Sequence, residues 1–396
     1  MYKKALQELI DIILTPYGIV LLSFLASALA WSVPDFLGFY KGYEEGEPVS
    51  VVSLTVIYCW YAMVIFFSFF FFSLGKKLPT IQQFNQHAKV DHARIYQFYS
   101  IIALFGFVYT FYVTLQVLGV DGFIYSVVSF TTNSISEAIY QDYQIGVFSL
   151  RYVLIISFGW ALYRVLALKK FTLIDFLNIA TFIFYIAFFG RRLQLVCSLL
   201  VFLTLVNREG NFFTQLNTKK LFWIGLFGFT MIATATLLRN YGSYDEMGYS
   251  NPLSAVITNI LSYLAAPFQV SLGVGNHLQD AFARKDYRLY TDVHQTLTAN
   301  SAYAEMVTNY GLAAIGRMIA YATVFSLLAG WLYKNKKNYL YTGYPVILYA
   351  FAEIWRIELF NKGIFFTLLI TALVVPVIYA LLFFFLPTRK KNRREA

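Results

Sequence analysis

Charged side chains are scarce in this chain, and where they break into apolar sequence they mark the places where chemistry can occur. Arg191 and Arg192 stand side by side in Phe188-Phe189-Gly190-Arg191-Arg192-Leu193, between two apolar stretches. Guanidinium groups present planar paired donors that match phosphate or carboxylate. The pair is therefore a candidate anion site, against the blander reading of two side chains reaching to lipid phosphates. Arg239 closes the next apolar stretch. Arg284, Lys285 and Arg288 interleave with Phe282, Tyr287 and Tyr290, a pattern that can hold a charged, ring-bearing ligand or simply form a solvated face. Glu305 follows, then Glu353, Arg356 and Glu358 within otherwise apolar sequence. Glu353 and Arg356 are three apart and can pair on a helix. Carboxylates at membrane depth are otherwise functional suspects. His87 and His92 are five apart, which is not the spacing of a helical metal pair. His277 and His294 lie in a long polar stretch and can accept protons. No Cys/His/Asp cluster has metal-ligand spacing, and there is no serine elbow and no phosphate loop, so the reading carries neither metal nor cofactor.

Elements that hold such residues follow from composition. The chain is 59% hydrophobic and 13% charged, against about 25% charged in a soluble domain. A chain this apolar belongs in lipid, where backbone groups must bond internally, as in helices or closed barrels. The apolar runs are continuous rather than alternating, so the expected fold is an all-α polytopic membrane protein. At about 20 residues per span, approximately ten spans are read: 12–33, 50–74, 95–118, 147–168, 171–190, 193–206, 221–238, 311–333, 339–360 and 363–386. The segment 193–206 has a length of only about 21 Å against a hydrocarbon core of about 30 Å, which would draw Arg191 and Arg192 below the headgroups. Cys59 and Cys197 both fall in apolar runs and read as buried hydrophobes. Met1-Tyr-Lys-Lys leads through Glu8 and Asp11 into the first span without a cleavage pattern, so that helix is expected to remain.

Orientation follows from Lys and Arg in the short connections. With the N-terminus inside, 19 of the 31 basic residues fall on the inner side, and both termini are cytoplasmic. The +10 net charge therefore reflects membrane topology rather than nucleic-acid binding. Lys41, Arg151, Arg191, Arg192, Arg239, Arg284, Lys285, Arg288, Arg317, Arg356 and Lys362 are left at or near the outer side, against the rule. The whole chain, 1–396, reads as one transmembrane domain with a long outer loop at 239–300. Within that loop Asn251-Pro252 has the form of a helix start. Leu253, Val256, Ile257, Ile260, Leu261 and Leu264 recur at helical spacing, with Ser254, Thr258, Asn259 and Ser262 opposite. The expected element is an amphipathic helix, lying on the outer membrane face or against the spans, ended by Pro267.

Two stretches carry a resemblance. One is Gly190-Arg191-Arg192 between two spans. The other runs Thr298-Ala299-Asn300-Ser301-Ala302-Tyr303-Ala304-Glu305 to Tyr310-Gly311 and Gly316. Together with the topology, they make the chain similar to the O-antigen and capsule repeat-unit polymerases and, more distantly, to the O-antigen ligases. The ligases place a histidine directly before the Asn; here Ala299 stands there and the nearest histidine is His294, which favours a polymerase. The resemblance implies a GT-C-like fold in a bacterial cytoplasmic membrane. It also implies a transfer in which undecaprenyl-pyrophosphate-linked oligosaccharide donates its reducing-end sugar to a hydroxyl of the next repeat unit. Arg191, Arg192 and Arg239 would then stabilise the pyrophosphate leaving group, and His294 or Glu305 would take the acceptor proton. Arg284, Tyr287, Arg288, Asn300, Tyr303 and Arg356 would bind substrate. Membrane lipid and a chain-length regulator protein are the implied partners. A ligase-type transferase, a lipid-oligosaccharide flippase and a membrane acyltransferase are the competing readings. A flippase would call on Arg164 and Asp175 to line an inner path.

Overall fold

The computed structural model describes residues 2–34, 37–43, 45–80, 92–129, 146–189, 192–208, 251–291 and 301–385, with isolated positions 135, 226, 228–230, 233–234, 237 and 293. Among them there is no strand, only a single bridge between Tyr43 and Val293. The helices are α1 (Tyr2–Ile13), α2 (Pro16–Trp31), α3 (Val51–Gly75), α4 (His92–Val128), α5 (Val153–Leu162), α6 (Leu173–Phe189) and α7 (Arg192–Arg208). They continue with α8 (Pro252–Asn276), α9 (Leu278–Phe282), α10 (Ala302–Tyr310), α11 (Ala313–Lys334), α12 (Gly343–Ala352) and α13 (Gly363–Phe385). A 3-10 turn, Val147–Tyr152, feeds α5, and a π turn, Tyr163–Ala167, ends it.

Six helices among the described residues are long and apolar enough to cross a membrane, or seven if α1 and α2 count as one broken span. The chain is thus a multi-pass helical membrane protein. Large apolar side chains face outward along these helices, among them Phe66, Phe69 and Phe70 on α3 and Ile370, Val374 and Ile378 on α13. Water would not tolerate so continuous a surface, but lipid does.

Several expected spans take a different form. The first helix does not begin at Ile12 and run on, because α1 meets α2 at 91°. Thr15 caps α2 by accepting the Gly18 N–H at 3.1 Å, and Pro16 occupies its first turn. Proline cannot donate to a continuing helix but is preorganised to start one. The span 95–118 extends to Val128, with a break at Gly119 in a positive-φ conformation. α6 and α7 are 17 residues each, α6 shorter and α7 longer than the expected 171–190 and 193–206. The stretch 339–360 is not one helix: a 3-10 turn at Tyr339–Thr342 leads into α12, which stops at Ala352, and the chain turns through 353–362 before α13. The span 221–238 lies outside the described residues apart from isolated positions.

The amphipathic helix of the outer loop is present and packs against α2 and α3, and its end is corrected. α8 continues through Pro267 to Asn276 and itself meets the length and composition of a span. Its polar face looks inward: Thr258, Asn259 and Ser262 are buried while Leu253 is 59% exposed. That is the arrangement of a helix whose surroundings are apolar and whose polar groups find partners in protein. Ser262 Oγ donates to Tyr40 O at 2.9 Å and Ser27 Oγ to Leu264 O at 2.7 Å. Gln269 ties α2 to the connection that follows, since Trp31 Nε1 and Glu47 N–H both donate to its amide oxygen, at 2.8 and 3.1 Å. Asn276 accepts from Ser50, the cap of α3, at 2.7 Å. The second half of α8 is therefore fastened to the end of the bundle where α2 finishes and α3 begins. At the other end α3 and α11 touch backbone to backbone: a Cβ on Gly75 would overlap the Leu327 carbonyl, and one on Gly330 the Phe72 carbonyl.

Candidate functional site

The turn 353–362 gathers more charge than any other buried part of the described chain. Glu353 ends α12, and its N–H still bonds Tyr349 O at 3.2 Å. Arg356 Nε donates to Glu353 Oε2 at 3.0 Å, and Nη2 stands 2.9 Å from the same oxygen. Both residues are 3% exposed. The guanidinium also lies 4.9 Å from the ring centre of Tyr263 on α8, whose other flank meets Trp355 edge-on at 5.7 Å. Phe360 clamps the turn from below, packed among Tyr321, Phe325, Phe351 and Phe365.

α10 supplies the second half. Ser301 caps it, with its hydroxyl oxygen accepting from Ala304 N–H at 3.5 Å, and Glu305 sits in the first turn. From there Glu305 reaches across to the turn. Lys362 Nζ donates to Glu305 Oε1, and the Glu358 N–H donates to Glu305 Oε2 at 3.3 Å. Glu358 itself accepts from Asn361 N–H at 3.1 Å. Burial raises the Glu358 carboxyl to about 7, and this group lies in the connection between α12 and α13, outside the candidate spans. A carboxyl poised there can hand over a proton near neutral pH, while a second carboxylate, Glu305, stands beside a lysine. Two carboxyls held in unlike environments are the usual basis for separate acid and base roles.

Beside this cluster the surface is cationic and aromatic. Gly311 ends α10 at φ 56°, a conformation that favours glycine, and turns the chain into α11. That turn brings the exposed Arg317 over the ring of Tyr310 at 3.8 Å. Asn361 Nδ2 donates to the Tyr310 hydroxyl at 3.5 Å. α9 packs on α10, and the segment after α9 carries exposed Arg284 and Arg288, the latter 5.7 Å from the ring centre of Tyr287. Arg284 itself adopts φ 60°. Lys285 is paired with Asp280 at 2.7 Å, which lowers the Asp280 carboxyl below its ordinary range.

Among the residues expected from sequence, Glu305, Arg284, Arg288 and Arg356 all lie in or around this region. Arg356 is engaged by Glu353 rather than free for an anion. Tyr287 and Tyr303 are buried, Tyr303 packing edge-on against Trp60 at 5.2 Å, so neither offers its ring to a ligand at the surface. Arg191, Arg239, His294 and Asn300 lie outside the described residues, as does the side chain of Arg192, whose backbone opens α7. Lys362, Tyr263 and the Arg317–Tyr310 pair were not singled out as site residues from sequence, nor was Glu358 beyond its place in an intramembrane group. The usable signal was the density of charge in Glu353-Ile354-Trp355-Arg356-Ile357-Glu358-Leu359-Phe360-Asn361-Lys362, which no lipid-facing helix would carry. Among the described residues no group of three or more His, Cys, Asp or Glu side chains could hold a metal ion.

The chain matches no protein-family model, no curated protein and no solved structure.

Proposed function

We propose that the chain is a membrane glycosyltransferase that polymerises undecaprenyl-pyrophosphate-linked oligosaccharide repeat units, acting at the bundle end where α8 is fastened to α2 and α3. One observation carries the reading: Glu305, which stands in the stretch similar to the repeat-unit polymerases, meets Glu358 and Lys362 at the edge of a buried charged turn. A hydroxyl attacking an anomeric carbon needs a proton acceptor, and Glu305 supports that role. The departing pyrophosphate needs cations, and arginine forks serve it without a metal. Exposed Arg284, Arg288 and Arg317 can meet it, joined by Arg191, Arg192 and Arg239 on the strength of sequence. Tyr310 beneath Arg317 gives a ring for a sugar to lie against. The membrane would be a bacterial cytoplasmic membrane, with both termini cytoplasmic and the site on the outer face. A chain-length regulator would act as partner.

A flippase reading is weakened by Arg164 and Asp175, the charges it would call on. Arg164 Nε donates to Asp175 Oδ1 at 2.8 Å, and the Thr172 hydroxyl donates to Asp175 Oδ2 at 2.6 Å. They satisfy one another and are not left to line a path. A ligase-type transfer remains the second reading because it shares the leaving group and differs only in its acceptor.

The test is elongation by purified protein in nanodiscs supplied with the host's lipid-linked repeat unit. A ladder of products is expected, falling by about 100-fold or more in Glu305→Gln and lost in Arg191→Ala. A competent substrate that yields no ladder refutes the polymerase. A ladder undiminished in Glu305→Gln keeps the polymerase and removes Glu305 as its base.

A further inference from the structure

Gln194 lies in the first turn of α7, two residues beyond Arg192. It is 2% exposed, and neither its amide nitrogen nor its amide oxygen has a hydrogen-bond partner among the described residues. A glutamine amide carries two donors and an acceptor with two lone pairs. Leaving both ends unmade in an interior is costly, and such groups are rare in native proteins without a use. Leucine would fill similar space without that cost.

Helix register shows what Gln194 stands beside. α7 and α12 are antiparallel neighbours. The Tyr341 hydroxyl, just before α12, donates to Thr204 O at 3.4 Å. Further along, Cys197 lies within the field of Glu353, and Tyr349 within that of Cys197. Gln194 is one turn before Cys197, so it falls level with the end of α12, where Glu353 and Arg356 open the buried turn. Arg356 Nη2 is likewise buried and, although 2.9 Å from Glu353 Oε2, lacks the alignment of a hydrogen bond.

Charge then decides the ligand class. Arg356 is matched by Glu353, and Gln194 is neutral, so the group has no net charge while offering both donors and acceptors. Within this group a phosphate would face Glu353 with Arg356 already matched, and a cation would face Arg356. A neutral ligand with closely spaced hydroxyls meets both needs.

We propose that Gln194, with Arg356 and Glu353, is an interior recognition site for sugar hydroxyls, the Gln194 amide donating to one hydroxyl oxygen and accepting from a neighbouring hydroxyl. This deepens the glycosyltransferase reading, on which the source of the sugar rests, by dividing the ligand: exposed Arg284, Arg288 and Arg317 meet the pyrophosphate, and the neutral interior reads the sugar. The side chains that now cover both amide atoms are displaced as the sugar enters.

The experiment uses the full chain in nanodiscs and measures melting with and without the repeat-unit oligosaccharide released from its lipid, a probe with no pyrophosphate. Wild type is expected to melt higher with the glycan, while any rise with inorganic pyrophosphate, which the exposed arginines can hold, is expected to be unchanged by substitution of Gln194. Gln194→Leu, and Gln194→Met as an unbranched second variant, are expected to melt about 2 °C above wild type without ligand and to bind the glycan at least tenfold more weakly. The proposal is overturned if both variants keep the wild-type response to glycan. It is equally overturned if both melt below wild type, which makes the amide a support of the fold, or if wild type responds to pyrophosphate alone or to neither probe. Elongation is scored separately. Glycan binding that depends on Gln194 without any ladder sinks the polymerase and leaves the sugar site standing, whereas a ladder with binding indifferent to Gln194 sinks the site alone.

Discussion

Arg356 and Glu353 form a buried pair whose removal can be worked through in both directions. Their charged atoms are 2.9–3.0 Å apart and each residue is 3% exposed. At that separation the attraction is about 5.5 kcal/mol with an effective dielectric constant of about 20. Desolvation of the two ions offsets much of it, so the pair as a whole adds little to stability. Cutting one partner is another matter. Arg356→Met leaves a carboxylate with no counter-charge among Tyr263, Tyr349 and Trp355, and the expected loss is about 3–5 kcal/mol. Glu353→Leu strands the guanidinium and costs a similar amount. The double variant, matched in volume, should return to within about 1 kcal/mol of wild type. The assay is reversible unfolding of all four proteins in the same detergent, read as a double-mutant cycle. Losses that simply add in the double variant would show that the two side chains do not act as a pair and would refute the reasoning. Elongation by the double variant adds the functional half: a stable protein that no longer elongates assigns the pair to the ligand, and one that elongates normally assigns it to the fold.

Three other outcomes follow from single positions. Gly330→Ala should separate α3 from α11, because the added Cβ overlaps the Phe72 carbonyl; a loss of about 1–3 kcal/mol is expected, and unchanged melting would mean the helices do not meet there. Glu358 holds its proton to about pH 7 when folded, against an ordinary value of 4.5. The folded state therefore binds more protons between those values, and stability is fullest below about pH 4.5 and falls as pH rises through 7. Glu358→Gln should flatten that slope in a melting series over pH 4–8, and a slope that survives the substitution belongs to another group. Gly311→Ala should strain the α10–α11 turn at φ 56° by about 1–2 kcal/mol, visible as lower melting together with weaker binding of any anion held by Arg317.

Much of the architecture was legible because lipid imposes a simple rule on sequence. Long apolar runs become helices, and α3, α11 and α13 fall close to where hydropathy puts them. The rule fails where polar and apolar residues change places. The pattern of α8 left it on the outer membrane face or against the spans; Thr258, Asn259 and Ser262 face protein, since a helix in apolar surroundings keeps its polar side for its neighbours. Pro267 was read as a stop, although a membrane helix can carry a proline whose freed carbonyl is met by its surroundings. Glu353, Arg356 and Glu358 were singled out from sequence yet left inside an expected span, although the ten residues 353–362 with four charges cannot be a lipid-facing crossing. The chain resolves the conflict by ending α12 at Ala352 and folding the charges inward against α8 and α10. Glu305 then finds Lys362 and the Glu358 N–H across more than fifty residues of sequence, a meeting that no local pattern encodes. Gln194 was missed for a related reason. A lone amide inside an apolar helix is unremarkable in sequence, and only the absence of partners among the described residues turns it into a question about what it binds.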